Sequence, residues 1–369
     1  FALKICFSYY DQMQNRGMKA KGFLKSDQNF DKSAYHIVIF LVEYVRSVRK
    51  KLKFNYNSFN NILKLSSMVF FFFFISILFN LSSSQSLEFK ELDKGVYVHF
   101  GKQEDSNKIN LGDISNLGFI IGSKSIAVID SGASVKIAKT MLKKIKKISK
   151  LPISHIIITH SHPDHFLGTE ALMSENPIVI GHEKLNRSMI NNFEFYKNLQ
   201  FSLTADKSLK STKLILAEKL IKIDDNHKID LGDRELSIKA WSSGHTDNDL
   251  SIYDEKTNIF WSENIFVDRT PSIRASIKGW KKNLEEILKL NIKQIVPGHG
   301  PILSKDKAIL PMLNYFNKLI EEVREFHKAQ KSLKYVLENI SKNNDENWIL
   351  YEEYHMANVT KTYTELEWE

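Results

Sequence analysis

The chain has 369 residues, 43% hydrophobic and 26% charged, a composition that excludes a disordered or collagen-like polypeptide and suffices for one large core or two ordinary ones. Its formal charge is +9, but residues 1–67 hold 12 Lys/Arg against 4 Asp/Glu, leaving only +1 for residues 68–369. A basic excess confined to one end gives no reason to expect a nucleic-acid partner.

In chain order, residues 68–86, "MVFFFFFISILFNLSSSQS", begin with an apolar run from Met68 to Phe79. The run is shorter than the roughly 20 residues that span a bilayer, and the small serines that follow suit a signal peptide cleaved near Ser84 or Ser86. Residues 1–67 then stand upstream of a signal. One account makes Met68 the true start and residues 1–67 extra translated sequence. The other makes them a membrane-associated extension built on the basic amphipathic stretch 37–54. We expect the first, with residues 87–369 as the working domain and no stable membrane span in the mature chain.

From Leu87 the pattern becomes regular. "GVYVHFG" (95–101) alternates as a strand does, and "NLGFIIGSKSIAVIDSG" (116–132) reads as two strands about a Gly-Ser turn. Residues 134–149 have helical spacing with a basic outer face. "HIIIT" (155–159) reads as a short buried strand, 168–174 as a helix and 177–181 as another strand. Residues 184–215 look helical or irregular, with little periodic signal. A second β-rich stretch covers 227–241, 249–263 and 292–298, with turns at Gly232-Asp233 and Asp254–Asn258. Helices are expected over 278–290 and 306–341. Strands with helices, twice over, predict an α/β protein, an αββα sandwich of two packed halves rather than two independent domains.

The chemistry concentrates in "THSHPDHFLG" (159–168). His160 and His162 lie two apart, so an extended backbone directs both side chains the same way, toward one ion. Asp164 and His165 fall where the chain turns into the next helix and can serve a second ion beside the first. Three histidines and an aspartate within six residues are costly to bury without a metal. His245 in "SSGHTDNDL" and His299 in "VPGHGP" each follow a strand in a Gly-containing loop, at the same sort of edge. Cys6 is the only cysteine, so any site within 68–369 is built from histidines and carboxylates. His155 is expected to be packed or half-exposed, and His182, His227 and His327 to lie at the surface. No Ser-His-Asp pattern or phosphate-cradling loop competes, and the GxG at 298–300 lacks the dinucleotide fingerprint.

The HxHxDH of "HSHPDH", the GHT of "GHTDND" and the GHG of "PGHGP", in that order, resemble the metallo-β-lactamase fold superfamily over roughly residues 90–369. The resemblance implies that His160, His162 and His245 hold a first zinc and Asp164, His165 and His299 a second, with Asp130 of "VIDSG" supporting the site from behind. The family's bridging carboxylate, usually an aspartate after glycine, aligns with Glu263 in "FWSENIF", where Ser262 takes the glycine's place. Glu263 is expected to ligate, with weaker hold on the second ion. Two zinc ions lower the pKa of bound water toward neutrality, and Asp164 would hold that nucleophile, so the implied reaction is hydrolysis. A cysteine-ligated lactamase is excluded; glyoxalase II-like thioesterases, lactonases and cysteine-free lactamases remain.

Residues 266–280, 294–301 and 354–369 look narrower still, like the quinoprotein relay system zinc metallohydrolases. That likeness implies a periplasmic or secreted hydrolase acting on a small molecule, with a quinoprotein dehydrogenase or c-type cytochrome as partner. Arg269 and Arg274 are candidates to bind an anionic group of the substrate. A competing expectation is a non-catalytic metal-binding partner in which Glu263 has spoiled the second site. A flavodiiron-like oxidoreductase is disfavoured, because the flavin domain is missing from the sequence.

Overall fold

The computed structural model describes residues 87–369. The expectations for residues 1–67 and for a signal over 68–86 lie outside the described residues. Twelve strands form two sheets within the described part. The first contains β1 (Phe89–Asp93), β2 (Val96–His99), β3 (Leu117–Ile121), β4 (Ile126–Ile129), β5 (Ile153–Ile157), β6 (Ile178–His182) and β7 (Lys219–Ile221), in sequence order. Strands β1 to β4 pair antiparallel, whereas β4 to β7 pair parallel. The second contains β8 (His227–Asp230), β9 (Glu235–Ala240), β10 (Leu250–Asp254), β11 (Ile259–Phe266) and β12 (Gln294–His299), in the order β12-β11-β10-β9-β8. Only the β11–β12 pair of this sheet is parallel.

Strand periodicity explains the layering. Successive side chains point to opposite faces, so Phe119, Ile126 and Val128 join a core against helices, while Ile120, Ala127 and Ile129 join a core between the sheets. Across that interface Trp261 of β11 is fully buried. It packs so closely on Gly118 that a Cβ there would stand 2.1 Å from its ring. Because β4 is covered on both faces, its sequence "IAVI" is continuously apolar rather than alternating. Each such buried aliphatic side chain contributes about 1.5–3 kcal/mol.

The helices are α1 (Val135–Ile148), the short α2 (Pro163–Phe166), α3 (Leu185–Thr204), α4 (Ile277–Leu288), α5 (Lys305–Lys328), α6 (Leu333–Asn339) and α7 (Tyr351–Leu366). Ser134 caps α1, accepting from the Ile137 backbone N–H, and Ile137, Ala138, Met141 and Ile145 form its buried stripe. Helices α1 and α3 cover the first sheet; α4, α5 and α7 contribute to the core on the outer side of the second. This is the expected αββα sandwich.

Two expectations were inexact. The helix expected over 306–341 is two helices, because Gln330 turns left-handed (φ 51°) and Ser332 caps α6 by accepting from Tyr335 N–H. Residues 168–174 form a 3-10 turn over Thr169–Glu175 after α2. The signal-poor stretch 184–215, expected to be helical or irregular, contains the 20-residue α3. Its exposed Ile190, Phe195, Leu199 and Leu203 blur the apolar periodicity that would have announced it. No helix among the described residues is long and apolar enough to cross a membrane.

Candidate metal centre

Strands β4 and β5 run parallel, so their carboxyl ends emerge together at one edge. Asp130 ends β4 with φ 58°, a left-handed turn that Asp and Asn tolerate better than most residues. Its Oδ1 accepts from Thr159 N–H at 2.8 Å, and its Oδ2 from Thr159 Oγ1 at 2.7 Å and His165 Nδ1 at 2.7 Å. Asp130 thereby ties the end of β4 to the loop "THSHPDH". Pro163 then starts α2, with His162 at its cap and Asp164 and His165 inside it.

Three imidazoles converge. His162 Nδ1 lies 3.0 Å from His160 Nε2 and 2.9 Å from His245 Nε2. His245 arrives from the loop after β9, with its Nδ1 donating to the Ser272 carbonyl at 2.8 Å. That bond leaves the lone pair on Nε2. Burial drives the proton affinity of His160 and His245 well below the ordinary histidine value. His162 falls to about 3, chiefly through burial, with Asp164 opposing and Arg274 adding to the fall. All three rings are neutral near pH 7. A single proton cannot satisfy three nitrogens aimed at one point, whereas a divalent cation can.

A second set adjoins the first, the His160 and His165 rings being 4.2 Å apart by centroid. Asp164 Oδ2 is 3.3 Å from His165 Nε2 and 3.7 Å from His299 Nε2. His299 Nδ1 donates to the Ile114 carbonyl at 2.7 Å, and Ser115 Oγ donates to the Asp164 carbonyl at 2.8 Å. Gly300 follows with φ 98°, where a Cβ would also strike the Val267 carbonyl at 2.1 Å. A side chain there would push the His299 loop off β11. Burial disfavours charge on Asp164, yet the neighbouring histidines outweigh it and hold the carboxyl well below its usual range. Burial likewise opposes charge on His165, but Asp164 and Asp130 overcome it and raise its proton affinity. His165 Nε2 is buried without a hydrogen-bond partner, so this donor set also fits a cation.

The structure brings His160, His162, Asp164, His165, His245, His299 and Asp130 together. Glu263 is brought to the same place but to its other face. Its carboxylate groups with Asp130 and His165, and Oε2 lies 3.8 Å from His165 Nδ1, the edge that Asp130 already holds. The expected bridge between the two sets is therefore not the arrangement seen, because the glutamate side chain is turned behind His165. Burial first and the Asp130 charge second raise its proton affinity, and neither of its oxygens has a hydrogen-bond partner among the described residues.

Arg269 is a correction. Its side chain is only 5% exposed and is consumed by structural bonds: Nη1 to the Glu104 carbonyl at 2.8 Å, Nη2 to Asp105 Oδ1 at 3.0 Å and to Tyr354 OH at 3.2 Å. Arg274 is exposed, and its backbone N–H donates to the His245 carbonyl at 3.1 Å. No ion pair of its side chain occurs among the described residues. His182, expected at the surface, is fully buried: Nε2 donates to the Trp241 carbonyl at 3.2 Å and Nδ1 accepts from Lys184 N–H at 3.1 Å. His155, His227 and His327 are half-buried.

Sequence reasoning missed Ser272 and Ile114, which act through backbone carbonyls and leave no side-chain signature. It also missed Tyr196 of α3, whose ring lies 6.3 Å from that of His162. Its half-buried position in a helix of weak pattern gave no signal.

Comparison with known proteins agrees with this architecture. The family model described as the metallo-beta-lactamase superfamily matches residues 111–299, just over half of the chain. A Beta-lactamase-like protein 2 homolog of Caenorhabditis elegans is 23% identical over 210 residues, 57% of this chain and 63% of that protein. The chain thus spans less than two thirds of that relative's length. A metallo-beta-lactamase type 2 of Bacillus sp. (strain 170) is 22% identical over 257 residues, 64% of this chain and 89% of the relative. Among solved structures, a metallo-beta-lactamase from Pontibacter korlensis superposes with a TM-score of 0.50 at 17% identity, covering 63% of this chain and 99% of that one. With the fold, the motif order and the family match in agreement, the chain belongs to the metallo-β-lactamase superfamily.

Proposed function

We propose that this protein is a zinc-dependent hydrolase with two adjacent metal sites, His160–His162–His245 and Asp164–His165–His299. One observation carries the reading: His162 Nδ1 lies 3.0 Å from Nε2 of His160 and 2.9 Å from Nε2 of His245, with His160 and His245 buried, His162 half-buried and all three rings neutral. A bound divalent ion would supply Lewis-acid activation of water and would polarise an oxygen of the substrate, making the atom bonded to it more electrophilic. The chain's own groups do the rest. Asp164 stays anionic at neutral pH and can accept a hydrogen bond from the attacking water, fixing its direction. The carbonyls of Ser272 and Ile114 and the Asp130 carboxylate keep a proton on Nδ1 of His245, His299 and His165, so each ring turns its Nε2 inward.

Arg274 and Tyr196 lie next to the three-histidine set, Tyr196 with its ring 6.3 Å from that of His162. The Arg274 backbone N–H donates to the His245 carbonyl at 3.1 Å, and its charge adds to the lowered proton affinity of His162 and His245. An uncommitted cation there favours a small-molecule substrate with an anionic group. The position of Glu263, behind His165 rather than between the sets, supports unequal affinity for the two ions. Export, a periplasmic or secreted location, and partnership with a quinoprotein dehydrogenase or c-type cytochrome belong to the same proposal and rest on the sequence resemblance alone. The test is elemental analysis of zinc per chain, with turnover of nitrocefin, lactones and thioesters, for wild type and His162→Ala/Asp164→Ala. About two ions and a turnover lost in the double variant are expected. Undiminished metal content and turnover in the variant would remove the proposal.

A further inference from the structure

Helix α7 lies beyond the span matched by the superfamily model, which ends at residue 299. It nevertheless grips the segment 269–278 repeatedly along one face, through Tyr354, Asn358 and Glu365. Tyr354 OH accepts from Arg269 Nη2 at 3.2 Å. Asn358 Nδ2 donates to the Pro271 carbonyl at 2.7 Å, and its Oδ1 accepts from Ile273 N–H at 2.9 Å. Glu365 accepts from Ser276 Oγ at 2.6 Å and from Ile277 N–H at 2.8 Å.

The residue these contacts bracket most tightly is Ser272. Asn358 holds the backbone immediately before it and immediately after it. The Ser272 carbonyl in turn accepts from His245 Nδ1 at 2.8 Å. A carbonyl can only accept, so this bond fixes the tautomer and leaves the Nε2 lone pair directed at His162. Asn358 is itself 1% exposed, and its Nδ2 makes a further bond to Tyr315 OH at 2.9 Å. A buried amide is costly unless every group is satisfied, and an aliphatic residue would fill the space without that cost. Its polarity is spent on the Pro271–Ile273 backbone.

We propose that Asn358 is a positioning residue for His245: by fixing the Ser272 carbonyl from a helix outside the matched span, it sets the tautomer and aim of a metal-facing imidazole. This rests on the reading of His245 as a ligand. The experiment titrates full-length wild type, Asn358→Ala, His245→Ala and Val323→Ala with zinc against a chromophoric chelator, and records the melting temperature of each metal-free chain. Val323→Ala trims a buried side chain of α5 and removes no side-chain hydrogen bond. Asn358→Ala is expected to weaken the tighter zinc site roughly 10–100-fold, while Val323→Ala lowers the melting temperature with zinc affinity within about twofold of wild type.

If His245→Ala loses zinc affinity and Asn358→Ala keeps it, the positioning role is wrong. If His245→Ala itself keeps wild-type affinity, the ligand reading fails, and this inference with it. Should Asn358→Ala not fold, long-range proton–nitrogen correlation on the metal-free wild type, labelled with nitrogen-15 histidine, decides the matter. His245 protonated on Nδ1 supports the role, and protonation on Nε2 overturns it.

Discussion

Replacing Asp130 by asparagine changes the charge of a side chain without changing its shape, and asparagine tolerates the left-handed φ of 58° at this position. The Oδ1 bond from Thr159 N–H survives the change. At Oδ2 an amino group replaces the acceptor of two bonds, from Thr159 Oγ1 and His165 Nδ1, each 2.7 Å. The threonine hydroxyl can rotate and accept instead. His165 has two poor choices. It can keep Nδ1–H against another N–H, or move its proton to Nε2 and accept at Nδ1. The second choice removes the lone pair that faces Asp164 and His299. Either way, holding a cation at that set requires giving up one charge-assisted hydrogen bond, about 1.5–3 kcal/mol. At 1.36 kcal/mol per decade this is roughly 10–100-fold in affinity.

The assay is zinc competition against a chromophoric chelator, resolving two classes of site in the full chain. Asp130→Asn is expected to weaken the site of Asp164, His165 and His299 by that factor and to leave the three-histidine site near wild type. Wild-type affinity at both sites would refute the argument that Asp130 sets the tautomer of His165.

The two sites should differ in proton release. His160, His162 and His245 are already neutral at pH 7, whereas His165 is held protonated by Asp164 and Asp130. Calorimetry in two buffers of different ionisation enthalpy should therefore show about one proton released with the second ion and close to none with the first; equal release for both would contradict the assignment. In the metal-free chain, His162 and His299 have folded values of about 3 against 6.5 for the free side chain. Depressed values mean the unfolded chain binds more protons, so this stability is present above pH 6.5 and is lost as pH falls toward 3. Urea midpoints that stayed constant over that interval would count against it. Trp280 is fully buried, donates Nε1 to the Asn264 carbonyl at 2.9 Å and packs on His245 and Phe316. Trp280→Ala should cost about 3–5 kcal/mol of stability, measured by denaturant unfolding. Finally, Arg274→Ala should raise KM for an anionic substrate roughly tenfold with kcat little changed, while Arg269→Ala should cost about 1–3 kcal/mol of stability. The reverse pattern would exchange their roles.

Much of this protein is determined by the sequence alone. The apolar runs and alternation around residues 96–129 and 229–261, with the turns at Gly232 and at 254–258, specify two sheets, since strand register follows from which residues must leave water. The clustering of His160, His162, Asp164 and His165 within six residues marks a metal loop, because a short extended segment ending in a helix turn leaves few directions for those side chains. His245 and His299 are legible from their loop positions after strands.

Other features belong to the tertiary structure. Whether Glu263 stands between the donor sets or behind His165 depends on a side-chain rotamer, which in the packed fold groups it with Asp130 and His165. The two arginines at 269 and 274 are alike in sequence; one is drawn under Tyr354 and Asp105, and the other is left in solvent. The carbonyls of Ser272 and Ile114 orient two imidazoles through backbone atoms that every residue possesses, so no side-chain pattern can announce them. Asn358 reaches the site across 113 positions of sequence from His245. Hydrogen-bond partners distant in sequence are chosen by the packed fold, whereas periodicity records only which face is buried.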